Sequence, residues 1–230
     1  MHVRLASLVT ASALLLIGAA YESAPAASAA SSFQMLHDGA VEAARVPSAG
    51  VLYSQNDRDA GVAVSSQDFG SDSDQGADDF EVPGGVTWTV NKVRVTGVYY
   101  NGYGPADSEN VFFYRDSGGL PGTLKAEVDS VVGTDNDGSF VIPIGGVRLK
   151  GGAPGAVFWV SVQINMSFVT GGQWAWETRK VQEGNPAAWR NPTGEWGFCQ
   201  TWEVMQHCWE GAGPDFMFAL SGKQSSLSSG

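Results

Sequence analysis

Apolar and polar residues alternate along much of the chain after residue 50, which is the pattern of strands with one buried face. Four apolar residues share one face of the segment 157–164, namely Phe158, Val160, Val162 and Ile164. The other face of that segment is mixed in character. Similar alternation recurs in residues 110–116, 124–132, 139–147 and 216–220. No segment has a sustained helical period, so we predict an all-β fold.

The segment 86–100 alternates with a change of phase. Trp88 and Val90 share one parity, whereas Val93 and Val95 share the other. A slip of one residue exchanges the two faces of a strand, so we predict a long strand with a bulge or bend at residues 91–92. The Asp-Gly pair at 137–138 predicts a hairpin turn. About eight or nine strands with varied loops indicate a two-sheet antiparallel β-sandwich of jelly-roll type.

The N-terminus has the features of a secretory signal peptide. Arg4 precedes an apolar run over residues 5–20, and small residues follow it near residue 29. A membrane anchor is the alternative, but the run is short for a bilayer span and no stop-transfer charge cluster follows. We predict a signal peptide over 1–29, a linker or loosely ordered leader over 30–49, the β-sandwich domain over 50–222 and a flexible tail over 223–230. The mature protein is then secreted, with no membrane span.

The two cysteines, Cys199 and Cys208, are expected to form a disulfide in an oxidising compartment. The bridge closes a short local loop, which it pins without holding the whole fold together. A zinc or redox pair is the alternative. It lacks CxxC spacing and has only His207 beside it.

The net charge of −11 argues against a nucleic-acid partner, because a basic footprint for phosphates is expected to be absent. The acidic residues concentrate in residues 57–81. Oxygen ligands in loops suit calcium, so we predict a structural calcium site whose ligands are Asp72, Asp74, Asp78 and Asp79. The alternative is a solvated acidic loop that needs no metal.

Seven of the eight tryptophans follow residue 158. Trp174 and Trp176 share a strand face opposite polar neighbours, and we place them in the core with Trp88. The others after Trp159 lie among glycine, proline, asparagine and glutamate in apparent loops. Indole faces stack on sugar rings. We therefore predict a binding face made of Trp189, Trp196, Trp202 and Trp209, with loop anchoring as the alternative role.

Signals for catalysis are weak: the sequence has no nucleophile elbow, zinc-protease motif or P-loop. The first hypothesis is a secreted, non-catalytic module that binds glycan or another cell-surface partner. The second is a carbohydrate-active enzyme, hydrolase or lyase, that uses glutamates of the tryptophan-rich half, namely Glu177, Glu195, Glu203 and Glu210. The third is a structural surface or matrix protein whose tryptophans are all buried.

Four segments occur in an order that resembles exported bacterial β-sandwich proteins, many of them uncharacterised. They are residues 78–83 (DDFEVP), 113–122 (FYRDSGGLPG), 158–162 (FWVSV) and 174–176 (WAW). The resemblance covers about residues 51–222. It implies a sandwich fold in an extracellular or cell-surface setting and assigns no catalytic residue. Some of these proteins carry C-terminal sorting signals, whereas this chain ends in KQSSLSSG without a hydrophobic helix and basic tail.

Overall fold

The computed structural model describes residues 50–70 and 72–226. The predicted signal peptide and linker lie outside these residues. Within them the chain forms 16 strands, more than the eight or nine expected, and two short helices, α1 (Phe168–Gly171) and α2 (Met205–Cys208). The all-β prediction is confirmed, and the strands arrange as a β-sandwich. None of the helices in the described residues is long and apolar enough to cross a membrane.

The first layer is a five-stranded antiparallel sheet. Its strands, from one edge to the other, are β1 (Val51–Ser54), β16 (Phe218–Ser226), β5 (Val86–Val95), β10 (Ser139–Lys150) and β9 (Thr134–Asn136). Val90 pairs with Gly222 and Lys92 with Ser221, so Asn91 is an extra residue in β5. The predicted bulge is therefore confirmed. Strand β16 extends four residues into the segment predicted as a flexible tail.

The second layer is a seven-stranded sheet. Six strands lie in the order β14 (Glu203–Val204), β13 (Ala188–Arg190), β4 (Gln75–Pro83), β11 (Gly155–Asn165), β7 (Ser108–Asp116) and β8 (Pro121–Val131). The two-residue strand β3 (Gln67–Asp68) pairs in parallel with the end of β11. Residues on both faces of β11 are buried, including Trp159 on the face predicted to be mixed. This layer is thus covered on both sides over its centre.

A separate four-stranded sheet lies beside the second layer, where β2 and β15 contact β4. Strand β12 (Gln173–Arg179) pairs with β2 (Asp59–Ser65), β6 (Gly97–Tyr100) and β15 (Asp215–Phe216). Trp174 and Trp176 of β12 are fully buried, as predicted. Gly97 makes this packing possible, because a Cβ there would lie 2.5 Å from the Trp174 indole.

The core lies between the five-stranded sheet and the other two sheets. Phe80 of β4 stacks against Trp88 of β5, with ring centroids 6.1 Å apart. Trp176 stacks on Phe216 at 4.5 Å and also contacts Phe218 of β16. Aromatic rings from all three sheets therefore meet in one core, where burial of apolar area stabilises the fold.

Candidate functional site

Trp189 lies at the centre of a ring cluster and does not reach solvent. It is a residue of strand β13, its exposed fraction is 0%, and its indole N–H donates to the Ser65 carbonyl at 2.8 Å. The expectation of an exposed loop position was wrong, because β13 pairs with β4 and carries Trp189 into the core. Trp189 is thus a support for its neighbours rather than a contact surface.

Three rings surround Trp189 and together with it form what we call the Trp189 cluster, namely Trp196, Phe198 and Trp209. Their centroids lie 5.4–6.3 Å from that of Trp189, and all three rings are partly exposed. The disulfide between Cys199 and Cys208, predicted from the sequence, is present and joins the segments that carry Phe198 and Trp209. The loop is therefore fixed by a covalent bond and by ring packing.

Trp196 also lines a groove that opens to solvent, which we call the Trp196 groove. Its volume is about 500 Å³. Its wall is made of three aromatic residues, one aliphatic residue and four polar residues, namely Trp196, Phe69, Phe168, Val169, Asp72, Ser167, Gln173 and Glu195. The Phe69 and Phe168 rings meet edge to face with centroids 6.3 Å apart. Phe168 and Val169 are 52% and 91% exposed, so apolar surface faces the solvent here.

Asn191 holds two walls of the groove together. Its side-chain oxygen accepts a hydrogen bond from the Trp196 backbone N–H at 3.0 Å, and its amide nitrogen donates to the Ser73 carbonyl at 3.0 Å. Asn191 is fully buried. It therefore ties the loop of Glu195 and Trp196 to the loop of Asp72. The sequence indicated only that asparagine residues lie near these tryptophans.

Trp202 lies apart from the groove, on the outer face of the seven-stranded sheet. The Arg190 guanidinium sits over its ring at 4.5 Å, and Tyr114 contacts it edge to face. Arg190 in turn donates two hydrogen bonds to the Gln75 side-chain oxygen. Burial lowers the pKa of Arg190. Of the four predicted tryptophans, Trp189 is a buried support for its neighbours. Trp196 and Trp209 belong to the Trp189 cluster, and Trp202 lies separately over β4 and β13.

The predicted calcium ligands do not converge. Asp72 lines the Trp196 groove, whereas Asp74, Asp78 and Asp79 are buried, which also corrects the alternative of a solvated acidic loop for these three. Asp74 accepts hydrogen bonds from the Gln67 backbone N–H and the Ser65 hydroxyl. Within the described part of the chain no three acidic, histidine or cysteine side chains form a group that could hold a metal ion. The calcium site stays a prediction.

Buried carboxylates instead form a network around the end of β12. Asp78 accepts from the Gln55 amide at 2.7 Å and from the Phe216 backbone N–H at 2.6 Å. Asp215 accepts from the Glu183 backbone N–H at 2.6 Å and lies 3.6 Å from the Arg179 guanidinium. Burial raises the pKa of Asp78 and raises that of Asp215 to about 7. These contacts join β4, β15 and the loop after β12.

The four glutamates of the enzyme hypothesis are in different surroundings. Glu177 is a nearly buried residue of β12, and Glu195 lines the Trp196 groove. Glu203 and Glu210 are exposed. The second carboxylate of the groove is Asp72, a residue that the sequence indicated as a calcium ligand. The groove therefore contains two carboxylates from distant parts of the chain.

No protein-family model matches the chain, and no curated protein matches it. Among solved structures it resembles the cysteine protease and lectin-like domains of Cwp84, a surface layer associated protein of Clostridium difficile. The identity is 13% and the TM-score is 0.44, over 68% of this chain and 33% of that chain. The match thus spans about a third of the Cwp84 structure.

Proposed function

We propose that the protein is a secreted, non-catalytic β-sandwich module that binds a glycan in the Trp196 groove. The observation that carries the proposal is the composition of this groove, in which Trp196, Phe69 and Phe168 stand beside carboxylate and amide side chains. Aromatic faces pack against the C–H faces of sugar rings, while carboxylates and amides accept and donate hydrogen bonds to hydroxyls.

The exposure of the aromatic wall supports a role in binding. Phe168 and Val169 lie on the four-residue helix α1, where burial against the core is incomplete. Contiguous apolar surface that faces water at a groove is typical of an interaction site. Trp196 itself is held in place, because its backbone N–H donates to Asn191 and its ring packs against Trp189. A ligand then meets a largely preformed surface.

Secretion is supported by the signal-peptide features of residues 1–29 and by the disulfide, since structural disulfides persist in oxidising compartments. The resemblance to exported bacterial β-sandwich proteins agrees with this location. For a secreted protein, the proposed ligand is therefore a glycan that a cell surface presents. The structural-protein hypothesis required every tryptophan to be buried, whereas Trp196, Trp202 and Trp209 are partly exposed.

A panel of soluble oligosaccharides, followed by intrinsic tryptophan fluorescence, tests the proposal. We expect one class of glycan to shift the emission of the wild-type protein in a saturable manner. Phe168→Ala removes an exposed ring and should weaken that binding about tenfold. Tyr103→Ala removes a ring that is 96% exposed outside the groove and serves as the matched control. No saturable response across the panel, or equal binding by both variants, would contradict the proposal.

An enzyme is the second candidate, because Asp72 and Glu195 place two carboxylates in one groove. Glycoside hydrolysis uses such a pair as acid and as base or nucleophile. Incubation of the bound glycan with wild-type protein and with Glu195→Gln distinguishes the two functions. Release of shorter products by the wild type alone identifies an enzyme. Binding without products supports the non-catalytic module.

A further inference from the structure

The outer face of the five-stranded sheet is basic, although the chain has a net charge of −11. Its three long strands carry five cations, namely Lys92 and Arg94 on β5, Arg148 and Lys150 on β10, and Lys223 on β16. All five are exposed. We call this surface the basic face. From the net charge we expected no basic surface for phosphates, and this expectation was wrong, because the folded protein has one.

Strand register places the five cations on one side of the sheet. Arg148 and Lys223 both pair with Thr89, from opposite sides of β5. Lys92 and Arg94 alternate with the buried Val93 and Val95. Side chains two residues apart on a strand lie about 7 Å apart on the same face. The cations therefore form a closely spaced array.

Acidic residues do not neutralise this array. The five strands of the sheet contain one acid, Asp135, which pairs with the buried Phe140 and accepts a hydrogen bond from the Tyr99 hydroxyl. It is thus on the core side of the sheet. Over residues 50–70 and 72–226, no ion pair involves any of the five cations. Their charge is available to a ligand.

A groove crosses the basic face between β1, β5 and β16. Its volume is about 340 Å³, and Lys92 and Arg94 line it together with Asn91 and Ser221. The bulge at Asn91 disturbs the ladder at this point, and two of the lining residues, at positions 50 and 222, are glycines. Cations, an amide and a hydroxyl therefore surround a concave, open surface.

We propose that the basic face binds a linear anionic polysaccharide, with carboxylate or sulfate groups held by Lys92 and Arg94 and the chain extending toward Arg148 and Lys223. Guanidinium and ammonium groups form charge-assisted hydrogen bonds with such anions. The negative charge elsewhere on the protein is screened beyond about 8 Å at physiological salt, so that the local array dominates at contact. This inference does not rest on the Trp196 groove, which shares no residue with it.

Two other occupants are distinguished by the test below. A second copy would have to present exposed acids, such as Glu127 and Asp129 of β8, to this face, and its self-association would be sensitive to salt. Single-stranded nucleic acid is held by basic grooves that also contain aromatic platforms for the bases. The outward positions of β5, β10 and β16 hold no aromatic residue. A polymer with charged sugars needs no such platform.

The test uses polygalacturonate and dextran sulfate as probes, with neutral dextran as the uncharged control. We expect the wild type to bind both anionic polymers and not dextran, and to release them as NaCl rises from about 0.05 M to about 0.5 M. The double variant Lys92→Glu/Arg94→Glu should weaken binding about tenfold or more. Arg148→Gln/Lys150→Gln, a milder change on β10, should weaken it by a smaller factor.

The matched control is Lys125→Glu/Lys180→Glu, which changes the net charge equally at two exposed lysines outside the sheet. It should bind within about twofold of the wild type. If both charge-reversed variants lost the same fraction of binding, the effect would depend on net charge alone, and the proposal would be overturned. Tighter binding of oligothymidylate or of phosphatidylserine vesicles would also overturn it. So would salt-sensitive self-association of the wild type that Lys92→Glu/Arg94→Glu abolishes.

Discussion

The indoles of Trp196 and Trp209 pack edge to face, with ring centroids 5.1 Å apart and an angle of 73° between the rings. Trp196 precedes the disulfide loop and Trp209 follows it. The contact therefore closes the loop over Trp189 and sets the position of the one tryptophan that lines the groove. The shape of the Trp196 groove depends on the closure of this loop.

Removal of the disulfide should loosen the groove while the sandwich stays folded. A ten-residue loop gives about 2.7 kcal/mol at most in the chain-entropy view, and this loop contains only the two-residue edge strand β14 and the short helix α2. We expect Cys199→Ala/Cys208→Ala to lower the free energy of unfolding by no more than this amount. Near-ultraviolet circular dichroism should lose part of its tryptophan signal, and far-ultraviolet spectra should not change. Global unfolding of the variant at room temperature would contradict this prediction.

Asp74 makes the stability depend on pH. Its carboxyl is fully buried, and burial raises its pKa to about 7. Its Oδ2 has no hydrogen-bond partner among the described residues, although Oδ1 has two. A folded pKa above the unfolded value means that the native state binds the proton more tightly. The contribution to stability is complete below about pH 4 and is lost as the pH rises through about 7.

Urea unfolding at about pH 5 and about pH 8 measures this effect. We expect the wild type to be less stable at the higher pH, with up to about 1.4 kcal/mol per pH unit from each such group. Glu109 and Asp215 contribute in the same direction, because burial raises the pKa of each to about 7. Asp74→Asn should reduce the difference, whereas Asp107→Asn, an exposed control, should leave it unchanged. If the wild type were more stable at about pH 8 than at about pH 5, burial would not oppose the ionisation of these acids, and the prediction would be wrong.

Removal of calcium tests whether a structural metal ion stabilises the fold in addition to the hydrogen bonds that the buried aspartates accept. Asp74, Asp78 and Asp79 each accept hydrogen bonds from protein donors, including the Asn185 amide at 2.6 Å in the case of Asp79. We therefore expect the melting temperature to stay the same after treatment with EDTA. A fall that added calcium reverses would establish the predicted site, because a ligand of the native state stabilises it.

The sequence was sufficient for the features that depend on local pattern. Alternation placed Trp88, Trp174 and Trp176 inside, and the change of phase in residues 86–100 located the bulge at Asn91. For the buried tryptophans and the bulge, the signal lies within a few residues of the feature that it predicts. The disulfide instead followed from the cysteine count of the whole chain and from the oxidising compartment that the N-terminal features predict.

Features that depend on tertiary pairing were missed. Strands β3, β14 and β15 have two residues each and leave no period in the sequence. Trp189 lies among loop-forming residues, yet pairing with β4 buries it. Phe69 and Phe168 line one groove from positions about a hundred residues apart, and the cations of the basic face come from three strands. Composition totals hide such surfaces, because they average over the whole chain.

A glycan array probed side by side with the wild type, Phe168→Ala and Tyr103→Ala decides whether the Trp196 groove binds glycan. We expect the wild type and Tyr103→Ala to bind the same glycan class, and Phe168→Ala to lose the signal. An array on which the wild type binds nothing, or on which Phe168→Ala keeps the full signal, would show that the Trp196 groove is not a glycan site.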